Sequence, residues 1–405
     1  MEHLIVPVGP DSTWQVPVGD GVTNYFAPHN ELVDLAGAID GAFSAPIDFP
    51  PLDQALVPGD QLALAVDARL PRLNQLLAAM LEWFIERGTP ETHIRLVLAG
   101  GGPGRAAAVA EALQRRTGLQ VAVEDHDCDD PQGLAYVAAN EQSDPIYLNR
   151  GLVDADVILP VSCAQPLSGV DYFGAFGIFP LLSDRATRSA FYSLPKLEEP
   201  TEHARLQAWA DQAAWWVGAL AAIEVIPAGG DQVAAVKAGQ LQPLETASQQ
   251  SMNELWNCTE PATSELVVAI MDSPPQAQSW LGLARVLYAA QRFVAPRGAI
   301  VLATQLRQPI GKALSRLRDP HLSPEVVARK LATDQHDDAL AASVILRTIS
   351  SHHVYLISDL ASEVVESLGM GAITQPEQLA RLINQHGSCT IIESAQHRGV
   401  ALCPQ

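Results

Sequence analysis

One pattern limits the folds open to this chain more than any other: short apolar runs that stop abruptly and give way to segments of helical periodicity. Leu62 to Val66 is a continuous apolar run ending at Asp67, and Leu73 to Arg87 then follows a helical period until Gly88 stops it. The plan recurs at Ile94 to Ala99, followed by Gly100-Gly101-Gly102-Pro103-Gly104-Arg105 and an Ala-rich helix to about Arg116. Val157 to Val161 and Ala221 to Pro227 read as further strands, with a helix over 202 to 222 between them. Leu119 to Val123 is expected to be another buried strand, closed by the acidic turn His126-Asp127-Cys128-Asp129-Asp130-Pro131, with a further strand at Pro145 to Asn149.

A second series begins at Glu265. Strands are expected at Leu266 to Met271, Ala299 to Thr304, Val354 to Ile357 and Thr390 to Ile392, with helices at Trp280 to Val294, in the stretch up to about Ile349, and at Pro376 to His386. Alternation of strand and helix of this kind predicts mostly parallel sheets. The expected architecture is α/β: two α/β domains, residues 1–255 and 256–405, facing each other across a central cleft. The remaining segments are read as an N-terminal hairpin from residues 4–8 and 13–17, an irregular Pro-rich stretch with one short helix over 27–60, a helix over Gln232 to Ala238, and a polar connection between domains over Gln240 to Glu260.

Charge narrows the partners. Lys plus Arg is 25 and Asp plus Glu is 46, a net of −21. Such a chain repels a phosphate backbone and an anionic bilayer, so neither nucleic acid nor a membrane surface is expected as partner. Five cysteines without CxxC or zinc-like spacing predict neither a disulfide framework nor a zinc site. With no secretory leader and no apolar window of membrane-spanning length, the sequence reads as a soluble, cytoplasmic protein. No metal ligand set is assigned.

In an α/β protein a ligand site is sought at the carboxyl ends of the strands. Asp67 is placed to position a ligand group or to cap the helix that follows. Arg69, Arg72 and Arg105 lie on two adjacent loops and are read as an anion-binding cluster or as solvated surface arginines. The Gly100 to Arg105 loop, with Gly101 and Gly102, offers backbone N–H groups to an anion or is a tight turn. His126 with Asp127, Asp129 and Asp130 suits a divalent cation or ordinary turn chemistry. Asp171 and Tyr172, in a glycine-aromatic loop, are the candidates for acid–base work, and Cys163 follows a strand end as a nucleophile does. His203, His352 and His353 have no partner in sequence.

Several of these passages resemble the nickel-dependent lactate racemase family: His126 to Pro131, Pro145 to Asn149, Ala155-Asp156-Val157, Arg292 to Ile300 and Val354 to Asp359. The resemblance extends over about residues 5 to 395 with the same order of elements. It implies two α/β domains with the active site between them. It also implies a nickel-pincer nucleotide tethered to a lysine, a histidine nickel ligand, two histidines acting as acid and base on a 2-hydroxy acid, and an arginine on the substrate carboxylate.

Carried over position by position, most of these residues differ here. The family's Asp-x-Thr-Arg-Pro loop falls on Asp67-Ala68-Arg69-Leu70-Pro71, and Gly-Thr-His-Arg on Gly101-Gly102-Pro103-Gly104. Glu-Pro-His falls on Gln165-Pro166-Leu167. The tethering lysine falls near Phe176 or Gly177, and a lysine of the second domain falls on Arg285. The expectation is a lactate racemase-like protein that binds a small anionic ligand, a 2-hydroxy acid or nucleotide-like cofactor, with racemase or epimerase chemistry altered or lost. A non-catalytic sensor or scaffold is the alternative. Whether any cofactor is held is left open.

Overall fold

The computed structural model describes residues 2–398 apart from 10–11, 19–20, 29–30, 103, 141, 167–176, 257–261 and 320. In chain order it opens with strands β1 (Glu2–Gly9), β2 (Ser12–Val18) and β3 (Val22–Tyr25), then helix α1 (Leu35–Ser44). The first strand–helix series is β4 (Leu62–Asp67), α2 (Leu73–Glu86), β5 (Ile94–Ala99), α3 (Arg105–Thr117) and β6 (Ala122–Asp125). A small antiparallel pair, β7 (Leu134–Ala139) and β8 (Pro145–Asn149), leads into β9 (Val157–Cys163), β10 (Ala221–Pro227) and β11 (Val233–Gln240). The second series is β12 (Ser264–Ile270), β13 (Val294–Ala303), β14 (His353–Ile357), β15 (Gly371–Ala372) and β16 (Cys389–Ile392), with helices between them.

The strands form two six-stranded sheets. The first runs β11-β10-β9-β4-β5-β6 and is parallel except at the β10–β11 edge. The second runs β15-β14-β13-β12-β16-β3 and is parallel throughout. Every residue of β4 and of β10 is buried, as expected for strands covered on both faces. Apolar side chains of β4, β5, β9 and β10 meet those of α1, α2 and α3 on one face of the first sheet. Those of the helix Trp280–Ala290 and the helix Ala339–Ile349 pack against β12, β13 and β14 on one face of the second. The N-terminal hairpin pairs as expected, and Leu4, Val6, Val16 and Val18 join Leu266, Val268 and Val301 on the other face of that sheet.

Three local expectations are corrected. Gln232 to Ala238, read as helix from its alanines, is the strand β11: pairing with the open edge of the fully buried β10 outweighs the helix propensity of alanine. The polar stretch from Gln240, read as a connection between domains, is largely the helix Leu241–Trp256. It buries Leu244, Ser248, Met252 and Trp256, one residue per turn, so a single narrow stripe in a polar sequence is enough to seat it. The strand expected at Leu119 to Val123 starts later, at Ala122, and runs to Asp125.

The order of each sheet reverses once. In the first sheet the chain proceeds from β4 to β5 and β6 on one side and to β9 and β10 on the other, so the reversal lies between β4 and β9. In the second it lies between β12 and β16. The loops leaving the carboxyl ends of these four strands separate there and leave a crevice.

Candidate functional site

Both crevices open onto the same place. A cavity of about 50 Å³ is lined by Asp67, Arg69 and Pro71 after β4 and by Cys163 and Gln165 at the end of β9. The other half contributes Met271, Ser273 and Pro274 after β12, Arg285 from the helix Trp280–Ala290, and Gln396 and His397 after β16. A second cavity of about 20 Å³ shares Asp67, Arg69, Cys163, Gln165 and Arg285 with it. Both volumes are large enough to admit water.

Asp67 ends β4 with its carboxylate turned back on its own loop. Oδ1 accepts from the Arg69 backbone N–H at 2.9 Å and from Nε at 2.8 Å, and Oδ2 accepts from Nη2 at 2.8 Å. Burial pushes the Asp67 carboxyl up, but the Arg69 charge and its hydrogen bonds, helped by Arg285, win and hold it below the usual carboxylate range. Asp67 therefore does not cap α2. The residue before α2 is Arg72, held at φ 49 with no side-chain cap.

Arg285 sits in the second turn of a helix capped by Ser279, whose hydroxyl accepts from Gly282 N–H at 3.1 Å. Its charge reaches Asp67, Cys163 and His397. His397 is buried against Trp256, with ring centroids 5.2 Å apart, and among the described residues its Nδ1 has no hydrogen-bond partner. Burial, and then the Arg285 charge, lower its pKa to about 3, so the imidazole is neutral at pH 7. Behind it, Asp272 accepts from Ser394 Oγ at 2.6 Å and Gln396 Nε2 at 2.7 Å, and burial pushes its carboxyl up despite them. This network fixes the segment that carries His397 onto the end of β12.

Cys163 is fully enclosed, and burial followed by the Asp67 and Glu224 charges pushes its thiol well up, which removes it as a nucleophile. Gly101 lets the two loops of the first sheet touch: a Cβ there would lie 2.5 Å from Arg105 Cγ and 2.9 Å from Ala68 Cβ. The helix end after the glycines is already occupied. Asp125, at the end of β6, accepts from the backbone N–H of Gly104 at 2.9 Å and of Ala106 at 2.8 Å, placing an internal carboxylate where an external anion was sought. Gly102 takes φ +73 beside it.

Arg72 and Arg105 do not join Arg69 in one cluster. They line a neighbouring cavity together. The acidic stretch after β6 is built as turns: Asp127 accepts from Asp129 N–H and Asp130 from Gln132 N–H, each at 2.9 Å, while Arg185 pairs with Asp129. His126 Nε2 lies 2.8 Å from the Ser183 carbonyl. Asp171 and Tyr172 lie outside the described residues. His203, His352 and His353 are not among the residues lining the cleft. The residues missed by sequence reasoning are Gln396 and His397. They follow β16 at its carboxyl end, so the strand-end rule already applied to Asp67 also points to them.

A sequence profile of the lactate racemase N-terminal domain matches residues 16–190. No curated protein matches the chain in sequence. The lactate racemase apoprotein from Thermoanaerobacterium thermosaccharolyticum superposes with a TM-score of 0.77 at 14% identity, covering 98% of this chain and 100% of that one. A protein from Thermotoga maritima superposes at 0.68 with 13% identity, covering 93% of this chain and all of the other, 100%. At these identities the superpositions speak for the fold.

Proposed function

We propose, for a chain that belongs to the lactate racemase-like family by its N-terminal domain and its fold, that the cleft binds a small anionic ligand and that racemase or epimerase chemistry is altered or lost. The observation that carries this reading is a local excess of positive charge. Among the described residues, two guanidinium groups, Arg69 and Arg285, line the cleft with one carboxylate, Asp67, in a chain whose net charge is −21. An arginine suits a carboxylate or a phosphate as a planar fork. The ligand is a 2-hydroxy acid or a nucleotide-like molecule. Asp171 and Tyr172 are retained as candidates for acid–base work, and Gly101 and Gly102 for backbone contacts.

The family's nickel-pincer nucleotide needs a lysine to hold it and a histidine on the metal. The chain has four lysines, Lys196, Lys237, Lys312 and Lys330, and none lines the cleft. Lys196 and Lys237 donate to the carbonyls of Ala190 and Ala247. Among the described residues, His397 is the one histidine lining it. These residues do not fit a lysine-tethered cofactor, so no step is drawn through one.

The test is nickel content and whole-protein mass after co-expression with the family's cofactor-making enzymes, followed by thermal shift with lactate. The reading expects unmodified, nickel-free protein whose Tm rises with lactate. Near-stoichiometric nickel with a covalent mass increment overturns the altered-chemistry part, and absence of any shift overturns the ligand part.

A scaffold role rests on a different surface. Trp215, Trp216 and Leu220 are 68%, 48% and 63% exposed near the end of the helix Pro200–Val217, an apolar grouping of the sort found at protein contacts. A complex that forms without lactate and is lost on Trp215→Ser with Trp216→Ser would favour that role.

A further inference from the structure

We infer that residues 178–199 form a latch: a segment of the first half of the chain that docks on the second half and holds the cleft between them closed through charge pairs at its rim. Such a latch serves whichever ligand the cleft takes. The segment carries three short helices, Ile178–Leu181, Arg185–Phe191 and Leu194–Glu198, and lies between β9 and the helix Pro200–Val217.

Its front is fixed in the core of the first sheet. Phe179, Phe191 and Trp209 pack their rings against one another, with centroids 5.3, 5.6 and 5.1 Å apart, and Trp209 belongs to the helix that follows. The back of the segment leaves that core. Leu194 is buried in the apolar cluster of the second sheet and its helices, while Tyr192 and Leu197 pack against both clusters. The same segment supplies Ile178, Pro180, Leu181, Leu182 and Tyr192 to the smaller cavity of the cleft, which Asp67, Cys163 and Arg285 also line. A segment that walls the cleft and is anchored in both halves decides whether those halves stay together there.

Charge ties the edges of this dock. Arg185 Nη1 donates to the Gln335 carbonyl at 3.3 Å, and Ser189 Oγ donates to the same oxygen at 3.2 Å. Asp337 lies 3.5 Å from Arg185 Nη1 and 3.4 Å from Arg188 Nη2. At the other end Glu198 pairs with Arg347 of the helix Ala339–Ile349, and that guanidinium lies over the Tyr288 ring at 5.3 Å. All of these side chains keep some contact with water, so each pair contributes little alone. Leu194 is the one buried residue of its helix. With an apolar anchor that small the dock can part, and the charge pairs set how often it does.

The chain carries its own reporters. Cys163 is enclosed at the cleft, and Cys389 is enclosed in β16, away from it. The test is the rate at which iodoacetamide labels each thiol in the folded full chain, read peptide by peptide by mass spectrometry. Glu198→Arg, which faces Arg347 with a like charge, and Asp337→Arg, which faces Arg185 and Arg188, should each raise the labelling of Cys163 about fivefold and leave Cys389 unchanged. Combining Glu198→Arg with Arg347→Glu restores opposite charges and should return Cys163 to the parental rate. Unchanged labelling of Cys163 in both single variants overturns the latch. An equal rise at Cys163 and Cys389 also overturns it, because the contacts then serve global stability alone. A combined variant that labels as fast as Glu198→Arg overturns the Glu198–Arg347 pair as a tie.

Discussion

The Asp67 carboxylate and the Arg69 guanidinium, two residues apart at the end of β4, meet through two parallel contacts of 2.8 Å each. Most of both side chains is buried, 10% and 17% exposed, so each charge relies on the other in place of water. Arg69→Met should destabilise the protein by about 3 kcal/mol, because it leaves a buried carboxylate uncompensated. Replacing both, Asp67→Leu with Arg69→Met, should cost less than the single change. Urea unfolding of the parent, both single variants and the double variant checks this, and additive losses would contradict it. The folded carboxyl lies below its unfolded value, so the pair's contribution is present above about pH 4 and is lost as pH falls through the folded value.

His397 acts in the same sense but over a higher pH range. Its folded pKa of about 3 lies below the ordinary histidine value near 6.5, so between these limits the unfolded chain binds the extra proton. Stability is full above about pH 6.5 and declines as pH falls toward 3, by up to about 1.4 kcal/mol per pH unit from this residue. His397→Gln should flatten that part of a stability–pH curve measured by thermal unfolding. An unchanged slope would mean the imidazole is already charged in the folded state.

Asp125 substitutes for an external anion at the start of α3. Asp125→Ala should cost about 1 kcal/mol by exposing the N–H groups of Gly104 and Ala106. Added phosphate should then raise the Tm of the variant more than that of the parent, because the emptied helix end accepts it. Equal shifts in the two proteins would argue against this.

Arg285 is the guanidinium that the second half of the chain contributes to the cleft. Arg285→Met should weaken lactate binding about tenfold or more by calorimetry. Removing its charge should also raise the pKa of His397, which NMR of the imidazole reads independently of any ligand. A changed affinity without a changed pKa would mean that the Arg285 charge does not act on His397.

Continuous apolar runs such as Leu62 to Val66 were legible because burial on both faces leaves no polar alternation to misread. The two-domain α/β architecture and parallel sheets follow from those runs and the helices between them. Val233 to Gln240 was not legible, since alanine favours helix and only the open edge of β10 makes it a strand. Asp67, Arg69 and Arg285 were found from strand ends and resemblance, whereas His397 lies more than three hundred residues from Asp67 and meets it only through the packing of two sheets. That Arg72 and Arg105 share a cavity apart from Arg69 depends on Gly101, whose missing side chain sets how closely the loops approach.

The place of β3 has a consequence for how the halves communicate. Residues 22–25 pair with β16 at the edge of the second sheet, and Arg398 donates to the Phe26 carbonyl beside them. The whole first sheet is thus an excursion of the chain between β3 and β12, leaving and returning through separate connections. The two sheets are therefore joined by two chain crossings rather than one. A fragment starting at residue 256 would expose the edge of β16 that β3 covers.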